Sequence, residues 1–391
     1  MPQDISILNI PGMVIEKMNG INPIHLFARF ETKPSCPECK SENLHKKKMF
    51  TRKIRHENFG NRPVFLVVKC NQFRCRDCNK YFNTRFPGIL KWKRSSEAFR
   101  KEVFELHHRG MSQVDLASYL RIGSATVERW YQDFIKRKNQ ELLSYECPRY
   151  LGIDEHFFSK KLGYSTTVCN LSSNKILDIF PAKSEAKLGR YLAQLKHRER
   201  VEMVCIDMCQ EYRSIIKKYF PNARIVTDRF HVIRLINQAF IKTWQQLHPE
   251  AKYSRGLLSL MRRHKWHLKE HQQKKLYAYM DDIPGLRAIY DFKHNLTKLL
   301  LIKNQTAREV KKLIPKLIIM VAELKKANFN YLVTLGNTLD KWLEEVVCMW
   351  RYSKNNGITE GFHRKMKLIQ RRAYGFKNFE NYRLRVRALC C

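Results

Sequence analysis

The chain has 391 residues, of which 44% are apolar, enough for two or three domains and a sizeable core. Lysine and arginine number 74 against 36 acidic residues, a formal net charge of +38, which points to a polyanionic partner because each phosphate neutralised by a basic side chain releases a condensed counterion. No apolar run approaches the roughly 20 residues of a membrane span, and the amino terminus lacks the basic-then-apolar pattern of a signal peptide, so no membrane partner and a cytoplasmic setting are expected.

In such a reducing setting the 12 cysteines favour metal over disulfides. Residues 1 to about 33 read as a short amphipathic opening without chemistry. Cys36-Pro37-Glu38-Cys39 and Cys75-Arg76-Asp77-Cys78 then supply four thiolates, a full tetrahedral shell for a structural Zn²⁺. The β-rich Val64–Val68 between them suits a ribbon, and Cys70, off the paired spacing, is read as core. Arg52, Lys53, Arg55, Arg62, Lys69, Arg74 and Arg76 are either phosphate contacts or a solvated face.

The stretch 94–138 predicts three short helices. Ala98, Val103 and Leu106 share a face of the first. Ser112 caps the second, with Val114, Leu116 and Ala117 inward, and Ser124 caps the third after the Arg121-Ile122-Gly123 turn. This is the helix-turn-helix pattern, in which Ser124, Thr126, Glu128 and Arg129 would face the major groove of double-stranded DNA. A tri-helical unit that only packs against neighbours has the same pattern. Trp130 is read as core.

From Tyr150 the periodicity changes to strands. The apolar run 150–153 ends in Asp154-Glu155, and a hairpin is expected from 164–168 and 175–180. A helix over 185–196 precedes the buried run 201–206, which ends in Asp207. A helix over 211–219 and a strand over 224–227 lead to Asp228-Arg229-Phe230-His231, which opens a long helix. In a mixed sheet of this order the first and fourth strands can lie side by side, setting Asp154 next to Asp207. Strand ends are where rigid α/β scaffolds hold catalytic carboxylates. Glu155 would point to the opposite face, and His231 is either a positioning group or a satisfied core histidine.

The stretch 233–350 reads as helical and basic, interrupted near Pro249, Pro284 and Pro315, with Trp266, Trp342 and Trp350 as core residues. A capped motif over 353–363 then opens a helix carrying Glu360, Arg364 and Lys367. Three convergent carboxylates repel one another, so they require cations or protons, and oxygen donors suit Mg²⁺ or Mn²⁺.

Taken in order, the four cysteines, the helix-turn-helix, Ile153-Asp154-Glu155, Ile206-Asp207-Met208, Asp228-Arg229-Phe230-His231-Val232 and Thr359-Glu360-Gly361 resemble the bacterial insertion-sequence transposases of the ISL3 family. The resemblance implies a multidomain α/β protein. Its parts would be an N-terminal segment and zinc ribbon over 1–92, a helix-turn-helix domain over 93–145, and a ribonuclease H-like catalytic core. That core would run over 146–240, be interrupted by an all-α insertion over 241–350, and resume over 351–391. It implies a DDE transposase with Asp154, Asp207 and Glu360 as the magnesium-binding triad and Asp228 with His231 as an auxiliary Asp-x-x-His pair. Arg364 and Lys367 would grip DNA. The implied partners are terminal inverted repeats and target DNA, met by a homo-oligomer in the bacterial cytoplasm at the nucleoid. One departure is His363, where the family places Asn. The alternative is a catalytically decayed transposase or a DNA-binding regulator that uses only its amino-terminal modules.

Overall fold

The computed structural model describes residues 10, 12–30, 33–142, 146–181, 185–354 and 357–390, the side chains of 185, 251, 252, 358 and 360 excepted. Asn355 and Asn356 of the expected cap lie outside the described residues. The chain forms two compact units. One runs up to Glu141 and includes Arg371–Gly375; the other holds Leu142–Gln370 and Phe376 onward.

In the first unit a long hairpin, β3 (Leu44–Phe59) and β4 (Arg62–Cys75), reverses at Gly60, whose positive φ suits the turn. Alternate residues Val64, Leu66, Val68 and Cys70 are buried, the period of a strand with one face on a core. The expected amphipathic opening forms two strands instead, β1 (Met13–Asn19) and β2 (Ile24–Phe30). They extend the sheet to the order β1-β2-β4-β3, and Ile24, Leu26 and Ala28 complete its core. A short β5 (Tyr81–Asn83) pairs with the far end of β4.

Three helices follow, α1 (Glu97–His108), α2 (Gln113–Leu120) and α3 (Ser124–Glu141), around Phe99, Val103, Leu116, Leu120 and Val127. Ser112 caps α2, its side chain accepting from Asp115 N. Ser124 does not cap α3. It lies inside the first turn, where the Gly123 carbonyl accepts from Thr126 and Val127 N–H. Val114 is 73% exposed, contrary to expectation, because the short α2 buries only the line through Leu116 and Leu120. Trp130 packs edge-on against Phe99.

The second unit is built on a five-stranded sheet of order β10-β9-β6-β7-β8. Its strands are β6 (Tyr150–Ser159), β7 (Gly163–Asn170), β8 (Lys175–Pro181), β9 (Met203–Ile206) and β10 (Arg224–Thr227). β6, β7 and β8 form an antiparallel meander, whereas β9 and β10 run parallel to β6. All four residues of β9 are buried, as the near-continuous apolar sequence of a central parallel strand requires. Helices α4 (Glu185–Gln194) and α5 (Gln210–Tyr219) supply the crossovers, and α6 (Arg229–Leu247) leaves β10.

Beyond α6 the chain is helical: α7 (Arg255–Arg262), α8 (Glu270–Asp281), α9 (Leu286–Leu300), α10 (Ala307–Lys325), α11 (Asn330–Lys341) and α12 (Leu343–Arg351). The buried side chains of α10–α12 and of the end of α9 belong to one core with the sheet, while α7, α8 and the start of α9 close a smaller core around Trp244. Pro315 does not interrupt the chain. It sits inside α10, whose Thr306–Glu309 capping box and buried Leu317, Met320 and Val321 offset the roughly 3 kcal/mol of an internal proline. Trp342 and Trp350 are buried, but Trp266 is 43% exposed and stacks on His264. Helices α13 (Gly357–Arg372) and α14 (Phe379–Cys390) complete the fold.

Candidate functional site

The register of the second sheet sets the site. Tyr150–Gly152 of β6 pair in parallel with Met203–Cys205 of β9. Two residues beyond the last pair come Asp154 and Asp207. β9 ends at Ile206, so Asp207 leaves its strand there. The expected strand end at Asp154 is absent, since β6 runs on to Ser159 and Asp154 pairs with Thr167 of β7. Asp228 follows β10, the next strand over, and caps α6 by accepting from Phe230 N. One turn into α6, His231 turns its Nδ1 onto Asp207 Oδ1, with Asp228 Oδ2 at 3.4 Å. Donor atoms of Asp154, Asp207 and His231 lie within 4.8 Å of one another.

The electrostatics follow from this crowding. Asp154 is nearly buried, and desolvation followed by the Asp207 charge pushes its carboxyl up to about 7. Burial alone would lower His231, but the hydrogen bond and charge of Asp207, with Asp228 and Asp154, hold it above the ordinary histidine value. The imidazolium answers part of the negative charge, and the oxygen-rich remainder fits a divalent cation. Asp207, with a third of its side chain exposed, opens the group to solvent.

Helix α13 approaches from the Asp154 side. Its first turn buries Thr359 against Cys169 of β7, and His363 brings Nδ1 to 3.8 Å from Asp154 Oδ2. In the sequence His363 stands out only as a departure from a pattern. Its contact with Asp154 is new, though three residues of helix place it on the face of position 360. Glu360 belongs to α13, and its side chain lies outside the described residues. Behind Asp154, His156 is locked between Thr167 Oγ1 (3.1 Å) and Tyr382 OH (2.9 Å), and burial drives its pKa down to about 3. Glu155 alternates to the other face, beside Tyr212.

In the first unit Cys36, Cys39, Cys75 and Cys78 converge, with Sγ atoms of Cys36 and Cys78, and of Cys39 and Cys75, 3.5 Å apart. The two knuckles repeat one design. Each is followed by a left-handed residue, Lys40 and Asn79, and each first cysteine N–H donates to a carbonyl five residues on, in Ser41 and Lys80. Backbone N–H groups, that of Cys39 first, hold the Cys36 thiol down at about 7, favouring the thiolate that binds metal.

The remaining residues marked by the sequence are dispersed. Ser124 and Arg129 are exposed at the start of α3, and Arg129 donates to Thr126 Oγ1. Glu128 accepts from Gln113 and from Gln132, bracing α3 against α2. Arg364 and Lys367 are exposed on α13. Of the basic residues near the cysteines, Arg55 is buried, bonded to the carbonyls of Val64 and Leu120.

Known proteins carry the same parts. A family profile of the ISL3 DDE type, described as transposase, matches residues 151–386, and one described as the zinc-finger of transposase IS204/IS1001/IS1096/IS1165 matches 32–78. The chain is 23% identical over 364 residues to the transposase for insertion sequence element IS1001 of Bordetella parapertussis, covering 90% of this chain and 88% of the relative. The cysteine cluster is thus the structural zinc site of a zinc ribbon, and a profile spanning more than half of the chain decides the wider assignment: this protein belongs to the ISL3 family of insertion-sequence transposases.

Proposed function

We propose that the second unit is a ribonuclease H-like nuclease core that cuts and rejoins DNA at the group around Asp154 and Asp207, with Glu360 as the third acid. The observation that carries this reading is the placement of two carboxylates of neighbouring strands, Asp154 within β6 and Asp207 just past β9, within 4.8 Å of one another and of His231. The sheet order, an antiparallel meander flanked by two parallel strands, supports the fold assignment, and position 360, one turn before His363, supports the third acid.

When bound, a pair of Mg²⁺ or Mn²⁺ ions would activate the attacking oxygen and neutralise the leaving one. Asp154, Asp207 and Glu360 are the residues that would hold them. Asp228 and His231 fix the Asp207 carboxylate. In the first step water adds to a phosphorus at the element end as the 3′ oxygen departs, leaving a 3′-OH. That hydroxyl then displaces a 3′ oxygen of target DNA, exchanging one P–O bond for another, so no covalent enzyme intermediate is required.

In the same reading the zinc ribbon and the helix-turn-helix recognise terminal inverted repeats through Ser124, Thr126 and Arg129, with Glu128 setting the helix angle, and Arg364 and Lys367 grip the backbone. The protein works as a homo-oligomer because two ends are processed together. The test is divalent-dependent nicking and joining of a labelled terminal repeat. Asp154→Asn, Asp207→Asn and Glu360→Gln each abolish both steps while repeat binding persists. Near-normal cleavage by any one of them rejects that residue, and cutting without joining would mark a nuclease.

A further inference from the structure

The outward face of α6 borders an open cleft that begins at Phe230, the residue before His231. Phe230, Arg234, Asn237 and Lys242 of α6, with Arg262 and His264 at the end of α7, line a cavity of about 730 Å³. A second cavity of about 470 Å³ continues it, sharing Lys242 and Gln245 and ending at Tyr331 of α11. Among the described residues, no acidic side chain lines either cavity. Each end carries an exposed aromatic ring, Phe230 at 55% and Tyr331 at 42%. A cation lies over each: Arg234 is 5.8 Å from the Phe230 ring centroid and Lys242 is 5.2 Å from that of Tyr331. Phe230 also meets the His231 ring edge-on, so the near end of the cleft lies one ring from the acid group.

Rings that stack any base, spaced along a basic and amide-lined groove, are what unpaired nucleic acid binds. Cavities of this size take a nucleotide-sized occupant, not a duplex. From Phe230 to Gln246 the helix measures about 24 Å, room for a few nucleotides.

We propose that the α6 cleft is a track for single-stranded DNA, holding the unpaired strand next to the bond that is cut. The proposal rests on the nuclease reading for which strand arrives, but not for the binding itself. Asn237, Gln238 and Gln245 offer amides to base edges, Phe230 and Tyr331 stack a base at either end, and Arg234, Lys242 and Arg262 meet the phosphates.

The test uses the full chain carrying Asp154→Asn, so that no strand is cut, and two fluorescent probes: a 12-mer oligothymidylate and a mixed 12-base-pair duplex. Phe230→Ala and Tyr331→Ala should each weaken oligothymidylate binding about tenfold, leave duplex binding within twofold, and leave thermal melting unchanged, since both rings are exposed. Phe230→Trp should restore the single-strand affinity. Unchanged single-strand binding in both alanine variants overturns the track, and so does an equal loss on both probes, which would mark a general phosphate surface. Nicking by the parent and by Asp154→Asn is scored separately: normal cutting by Asp154→Asn would sink the nuclease reading while leaving the cleft result standing.

Discussion

His231 Nδ1 and Asp207 Oδ1 are in direct contact across 24 residues of sequence, the first at the opening of α6 and the second at the end of β9. The contact fixes the orientation of a carboxylate that would otherwise be free to rotate in solvent. The auxiliary pair thereby acts as a chain of supports, in which Asp228 holds His231 and His231 holds Asp207.

Substituting His231→Ala should therefore lower cleavage about 10- to 100-fold, the usual cost of removing a partner that orients a metal ligand. Part of the loss should appear as a higher Mg²⁺ requirement, read by titrating the ion in a nicking assay. A loss with an unaltered metal dependence would assign His231 to substrate and not to Asp207.

Arg229, buried between these two helpers, points away from the site. Its guanidinium donates to the carbonyls of Leu300, Ile302 and Met349, tying α6 to the ends of α9 and α12. Arg229→Met strands three carbonyls, and urea unfolding should report about 3–5 kcal/mol of lost stability. A change below about 1 kcal/mol would mean that water replaces the guanidinium.

Lys293 lies 2% exposed in the α7–α9 core, with Nζ on the Met261 carbonyl, and burial lowers its pKa from 10.5 to about 8. Between those values the unfolded chain binds the more protons, so this residue's contribution to stability rises with pH. The stability of Lys293→Met relative to the parent should fall by about 3 kcal/mol from pH 8 to 10.5, measured by denaturant titration. A pH-independent difference would show the ammonium to be solvated.

Cys36→Ser combined with Cys75→Ser takes one thiolate from each knuckle. Metal analysis should show the loss of one zinc per chain, and repeat binding should fall with the cooperative melting of the first unit, because a structural zinc contributes folding free energy directly. Retained zinc in the double variant would place the ion elsewhere.

The sequence disclosed what local spacing encodes. Two Cys-x-x-Cys pairs, apolar runs ending in Asp154 and Asp207, and the order of elements from Tyr150 to His231 all depend on neighbours in the chain. It concealed what depends on distant partners. Arg55 looks like any surface arginine until its carbonyl acceptors are known, and the bond from Gln113 of α2 to Glu128 cannot be read from either helix alone. Val114 defeats the pattern because eight residues of helix carry too little periodicity to fix a face. The strands β1 and β2 escape it because MVIEKMN alternates only in part.

Arg55 carries a further consequence. Its backbone bonds Arg94 and Ser96, its guanidinium reaches the end of α2, and it lies over the ring of Phe99 in α1. The ribbon and the three helices are thereby welded into one rigid body, the part proposed above to read DNA. On a duplex of about 10.5 base pairs per turn, a rigid body that read DNA through both parts would fix the angular phase between the two stretches. Inserting about five base pairs between them, half of that turn, would swing one to the far side of the DNA, while a full extra turn would only stretch the separation.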